Sequence, residues 1–240
     1  MKLFTRARLA TTAFLTPSGR VPTCLSSRPS DGEILDAYES IGDSCEFGAL
    51  QQLSGINTPG LFKWAAVPLQ RLAELFQNDL VGIDDPDHFA LRAEARANGP
   101  AEYMLDHGLL QSPTHTFATI DEIDEARLLE REVRRHTILR RKFLEDARVS
   151  RRIFVYRSLA PRDLADVERV HASLLRLGPN RLLFIRPPGD GLTAGDVDLR
   201  SEGFAIAALD HLAVYEASTA IRSAMWPDVL RKAHALLRPC

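Results

Sequence analysis

Apolar positions fall at helical spacing in five stretches of the chain and alternate or run together in the segments between them. Phe47, Leu50 and Leu53 share one helical face, and Asp43 and Ser44 just before them are residue types that accept a first-turn N–H. A second helix is predicted over 68–78, with Pro68 in its first turn and Leu69, Leu72, Leu75 and Phe76 on one side. A long, charge-rich helix over 123–147 would bury Ala126, Leu129, Val133, Phe143 and Leu144. A fourth helix, over 161–177, is closed by Gly178-Pro179. The last starts with Pro227 in its first turn and sets Trp226, Val229, Leu230, Ala233 and Leu237 on one face.

Strand signals lie between these helices. The segment 37–41 reads as a strand or the end of a small helix. The run 153–156, the 161–177 helix and the run 182–185 follow the strand–helix–strand order of a parallel crossover unit, and 204–209 adds another apolar strand. Phe89, Leu91 and Ala93 alternate with polar or small neighbours, Asn98-Gly99-Pro100 supplies a turn, and 102–106 and 114–118 read as two further short strands. These predict a small antiparallel meander with His115 on its last strand. Asp84-Asp85-Pro86-Asp87-His88 reads as a turn rather than a metal cluster, because aspartates flanking a proline are ordinary turn formers. The fold class expected is α/β: one domain over 33–240, a mixed, partly parallel sheet flanked by helices, and an antiparallel insertion near 88–118. The alternative is an α+β, papain-like arrangement.

Composition narrows the function classes. The 240 residues carry 30 Lys+Arg against 32 Asp+Glu, a formal charge of -2, so the basic field that draws proteins to nucleic acid or anionic lipid is missing. No apolar run approaches the ~18–20 residues needed to cross a bilayer. Residues 1–32 hold five basic residues before the first carboxylate, Asp31, and are rich in Ser, Thr and Pro. Threonines interrupt their apolar stretch and no A-x-A site follows, so an unstructured tail or an over-extended start is expected over an export or transit signal, and a cytoplasmic location with it. Gly189-Asp190-Gly191 follows two prolines and opens no helix, which argues against a phosphate loop. No cofactor or metal is expected, and the partner expected is a small-molecule, peptide or glycan substrate.

Candidate chemistry gathers at Gly42-Asp43-Ser44-Cys45-Glu46-Phe47-Gly48. Of the three cysteines, Cys24 lies in the tail and Cys240 at the last position, leaving Cys45 as the one expected inside the fold. Its position at a helix start is one of the environments that lowers a thiol pKa, although Asp43 and Glu46 oppose thiolate formation unless they point away. A free cysteine is also among the most buried residue types, so a structural role competes with a nucleophilic one. The segment is also similar to the opening of the GDSL serine hydrolases, which would make Ser44 the nucleophile. That family's late Asp-x-x-His has no match at the right spacing in Asp210-His211 or in Asp228 with His234.

Ser40 to Gly48, then Gly60-Leu61-Phe62-Lys63-Trp64, a short amphipathic helix, and Thr114-His115-Thr116-Phe117 together resemble the bacterial family described as papain-like cysteine peptidases. The likeness continues through Leu128-Leu129-Glu130-Arg131-Glu132 and Arg152-Ile153-Phe154-Val155-Tyr156. The resemblance implies a cysteine hydrolase or acyltransferase in which Cys45 attacks a carbonyl and His115 acts as base and then acid, with Asp43, Ser44, Glu46 and Trp64 in support. Many relatives carry Asp where this chain has Lys63, which leaves an acid there without a counterpart. Asp121, Glu122 and Asp210 are candidates for an orienting third residue. His107, following Asp106 in a turn, competes with His115 as the partner of Cys45. His136, His171 and His234 read as core or boundary residues, and Trp64 and Trp226 as core anchors. Against the enzyme stands a non-catalytic α/β module in which the same segment closes a ligand pocket or an interaction surface.

Overall fold

The computed structural model describes residues 29–95, 99–160, 162–213 and 223–238. Residues 1–28, most of the predicted tail, lie outside that set, as do Cys24 and Cys240. The described chain enters a short helix, α1 (Asp31–Asp36), through a capping box: Ser30 Oγ accepts the Glu33 N–H, and the Glu33 carboxylate accepts the Ser30 N–H. Then come β1 (Tyr38–Ser40), α2 (Glu46–Leu53), α3 (Leu69–Gln77), a one-turn 3-10 helix at Pro86–His88, β2 (Phe89–Glu94), β3 (Glu102–His107) and β4 (Ser112–Thr119). The second half carries α4 (Glu125–Arg148), β5 (Ile153–Arg157), α5 (Leu164–Leu177), β6 (Arg181–Arg186), β7 (Val197–Ser201), β8 (Phe204–Ala208) and α6 (Trp226–Leu237).

Five strands form one sheet in the order β1-β5-β6-β8-β7. The first four run parallel, and β7 pairs antiparallel with β8 at the edge. Parallel strands covered on both faces need apolar residues at every position, which is why β5 and β8 are buried throughout and β6 along its four central residues. On one face Phe154, Tyr156, Leu182, Phe184, Phe204 and Ile206 pack in the core shared with α3, α4 and α5. On the other, Ile153, Val155, Leu183, Ile185, Ala205 and Ala207 meet Phe47 of α2, Ile34 and Leu35 of α1, and Trp226, Val229 and Leu230 of α6. The result is a three-layer α/β domain, not the α+β alternative.

The meander is present as β2-β3-β4, antiparallel throughout. It joins the main body through a bridge between Ala65 and Thr114 and through the Ala66 N–H, which donates to Ser112 Oγ at 2.8 Å. Phe89 of β2 sets its ring edge-on against His136 of α4 at 4.9 Å.

The buried face of α4 differs from the one expected. Ala126 is exposed and Leu129, Val133 and Leu144 are only half-buried, while Leu128, Glu132, His136, Leu139, Phe143, Asp146 and Ala147 point inward. Three of these are polar, and each has at least one polar partner. Arg131 and Arg135 pair with Glu132, Lys142 and Arg151 pair with Asp146, and His136 Nδ1–H donates to the Glu132 carbonyl. His107 is likewise not a turn residue: it ends β3, buried against Phe89, with Nε2–H donating to the Ile83 carbonyl and Nδ1 accepting from the Leu109 N–H.

Candidate functional site

The carboxyl ends of parallel strands are where α/β sheets leave room for ligands. At that end β1 gives way to Ile41-Gly42-Asp43-Ser44-Cys45 and then α2. Gly42 has φ 137° and Asp43 φ 61°, so two successive residues hold a backbone region that L side chains avoid. The reason at Gly42 is space as well: a Cβ there would lie 3.2 Å from the Val67 carbonyl oxygen. The sharp turn swings Ser44 to the mouth of α2, where its Oγ accepts the Glu46 N–H at 3.1 Å. Asp43 does not cap the helix. Its carboxylate receives Arg162 from the loop after β5, with Nη2 3.1 Å from both oxygens.

A cleft of about 380 Å³ opens between these segments, lined by Asp43, Ser44, Ala66, Arg157, Leu159, Ala160 and Arg162. Arg162 Nε donates to Ser158 Oγ, which fixes the guanidinium from behind. Arg157, the last residue of β5, lies 2.8 Å from the Glu46 carboxylate, and that carboxylate also accepts from the Ala213 N–H and from Trp226 Nε1–H. Arg157 in turn donates to the Ala213 carbonyl. The floor of the cleft is therefore a neutralised, hydrogen-bonded ion pair.

Cys45 sits at the cap position of α2, only 4% exposed, and does not line the cleft. Burial pushes its thiol up to about 11. Both acids that would oppose a thiolate do point elsewhere, Asp43 to Arg162 and Glu46 to Arg157, yet desolvation alone keeps the sulfur protonated. His115 lies half-buried on β4, its N–H donating to the Trp64 carbonyl at 3.4 Å and its ring 5.5 Å from that of Phe117. Trp64 is not a core anchor. It is half-buried, edge-on to the exposed Phe117 at 5.0 Å, with Lys63 Nζ 5.6 Å from its ring centre, whereas Trp226 is wholly buried. Trp64 also reaches α2, because Gly48 passes so close that a Cβ there would meet the Lys63 carbonyl oxygen at 2.8 Å and the indole at 3.3 Å.

Family models, curated proteins and solved structures give no match to this chain. The likeness to papain-like peptidases therefore stands on the motifs alone. Among the remaining candidates, Asp121 and Glu122 lie on the exposed link between β4 and α4, and Asp210 holds the Ser223 hydroxyl and the exposed His211. No three His, Cys, Asp or Glu side chains among the described residues are grouped to hold a metal ion, and no helix among them is long and apolar enough to cross a membrane.

The site residues that the motifs do not announce are Arg157, Ser158 and Arg162. One signal existed for the first. An arginine closing the otherwise apolar run Ile153–Tyr156 needs a buried partner, and the structure supplies Glu46, at the start of the helix that follows the neighbouring strand β1.

Proposed function

We propose that this chain binds a small polar molecule in the cleft beyond β1 and β5, with Ser44, Asp43 and Arg162 as its polar contacts and Cys45 as a structural residue of α2. The supporting observation is the Gly42-Asp43 turn, with Asp43 in the left-handed region, which presents Ser44 and Asp43 to a cleft whose other wall carries Arg162. The left-handed conformation of Asp43 costs up to roughly 1–3 kcal/mol and persists where the surroundings fix it. Leu159, Ala160 and Ala66 supply an apolar wall, the usual composition of a small-molecule site. The test is a thermal-shift and ligand-observed NMR screen of small polar compounds on the full chain beside Ala160→Trp, which fills the cleft from its exposed rim. Hits lost in the variant support the reading; hits unaffected by it, or none at all, end it.

A second reading keeps the acyl-transfer chemistry of the papain-like resemblance, with Cys45 as nucleophile and His115 as base. Trp64 favours it, since its carbonyl holds the His115 backbone while its ring borders α2 one turn beyond Cys45. Iodoacetamide labelling at pH 6, with Cys45→Ser reporting the contribution of Cys24 and Cys240, decides between the two. A Cys45 that reacts faster than a free thiol reinstates catalysis, and slow labelling removes it.

A further inference from the structure

Every charge lining the cleft is matched, yet the pair that faces it still has hydrogen bonds to give. Glu46 answers Arg157 on the floor and Asp43 answers Arg162 on the walls, so two acids and two guanidiniums cancel. The second pair is the open one, its side chains 19% and 32% exposed. Arg162 spends its guanidinium unevenly: Nε donates to Ser158 Oγ and Nη2 reaches both Asp43 oxygens at 3.1 Å, while Nη1 has no partner among the described residues. The two-nitrogen fork that gives arginine–carboxylate pairs their strength is only half made. Asp43 likewise keeps lone pairs in reserve, since a carboxylate offers about four acceptor sites. Ser44, all but buried, lines the same cleft. Its Oγ accepts the Glu46 N–H, and its own hydroxyl proton has no acceptor among the described residues.

Resting on the cleft reading above, we infer that the ligand is a zwitterion, a small α-amino acid whose carboxylate takes Arg162 Nη1 and the Ser44 hydroxyl and whose ammonium takes Asp43. The charge balance decides between ligand classes. A lone carboxylate on Arg162 would face the Asp43 charge, and a lone amine on Asp43 would face the Arg162 charge; either brings a charge that the cleft does not offset. A ligand carrying both signs leaves the balance at zero. Spacing agrees, because Asp43 and Arg162 stand side by side at 3.1 Å and an α-amino acid separates its two charged groups by a single carbon atom. A neutral amide would meet the same donors and acceptor, but charge-assisted hydrogen bonds are about twice as strong as neutral ones. Leu159, Ala66 and Ala160 form an apolar wall for a short aliphatic side chain, and a cleft of about 380 Å³, near the lower end for small-molecule sites, suits one amino acid better than a peptide.

The experiment is isothermal titration of the full-length chain at pH 7 with L-valine, with isovalerate, which lacks its amine, with isobutylamine, which lacks its carboxylate, and with the neutral isovaleramide. L-valine should bind at least about tenfold more tightly than each of the other three, the worth of one charge-assisted hydrogen bond. Asp43→Asn should remove its advantage over isovalerate, and Arg162→Gln its advantage over isobutylamine. A weakened fold would lower all affinities together and leave those ratios alone; melting curves check folding, and the series on the parent chain stands without either variant. Ser44→Ala should weaken L-valine severalfold. L-valine that does not bind, an analogue that matches it on the parent chain, or an advantage unchanged in either variant would overturn the zwitterion assignment. Neutral compounds lost on Ala160→Trp would still uphold the cleft in that event, so failure here is separable from failure of the cleft itself.

Discussion

The Glu46 carboxylate and the Arg157 guanidinium lie 2.8 Å apart with side chains 0% and 5% exposed, joining the first turn of α2 to the end of β5. Two further donors, the Ala213 N–H and the Trp226 indole, converge on the same acid, so the pair also ties the segment after β8 and the start of α6 to the floor of the cleft. Removing one partner of such a pair leaves an uncompensated buried charge. Glu46→Ala should therefore cost about 3–5 kcal/mol in chemical denaturation. A loss below about 1 kcal/mol, the range of exposed pairs, would show that water reaches Arg157.

Cys45 makes a prediction at alkaline pH. Its thiol is raised from 9.0 to about 11 by burial, so the folded state keeps the proton that the unfolded chain releases. Stability from this group is intact below pH 9 and falls as pH rises toward 11, by about 3 kcal/mol at the conversion of 1.36 kcal/mol per pKa unit. Cys45→Ala should flatten that part of the pH–stability curve measured by urea unfolding. A variant whose alkaline limb matches the parent would mean the sulfur is solvated.

What the sequence revealed and what it hid follow from where the physical signal lies. The runs ending in Tyr156 and Ile185 were legible because strands buried on both faces must be continuously apolar. Edge strand β7 was not, since Asp198 and Arg200 face solvent and leave no pattern. The face of α4 was misjudged because Glu132, His136 and Asp146 occupy inward positions that only their partners make tolerable. At the cleft, Gly42-Asp43-Ser44 was readable as a turn into a helix, but the arginine that completes it lies 119 residues away on another strand's loop. Local spacing carries no information about such a pairing.

His136 contributes to the acid limb. It is buried beside His107, with ring centres 5.4 Å apart; Nδ1–H donates to the Glu132 carbonyl, while Nε2 has no hydrogen-bond partner among the described residues. Burial lowers its pKa from 6.5 to about 4, with smaller effects from the Glu132 carbonyl, His107, Arg135 and Asp84. The folded state thus holds it neutral, and its contribution is complete above pH 6.5 and lost as pH falls toward 4. The loss amounts to about 3 kcal/mol. His136→Leu should make the decline of the urea midpoint between pH 7 and 5 shallower than in the parent, the remainder coming from His107, His171 and His234, whose pKa values burial also lowers; an equal decline in both would assign the acid sensitivity elsewhere.

Gly48 tests the link between α2 and the Lys63-Trp64 segment. A methyl group at this position would sit 2.8 Å from the Lys63 carbonyl oxygen, 2.9 Å from Lys63 Cγ and 3.3 Å from the indole. Backbone cannot yield as a flexible side-chain end can, so Gly48→Ala should push the segment off the helix despite alanine's better helix propensity. Overpacking of this kind costs about 1–3 kcal/mol, against the ~1 kcal/mol that alanine gains over glycine within a helix. Because the Trp64 carbonyl holds the His115 N–H and Ala65 bridges Thr114, the displacement must carry β4 with it. Hydrogen exchange at the amides of His115 and Ala66 should therefore quicken in Gly48→Ala while the amides of β5 and β6 keep their protection. If exchange in β4 is unchanged, the meander is held by α4 and not by this loop, and α2 cannot transmit a movement from the cleft to His115.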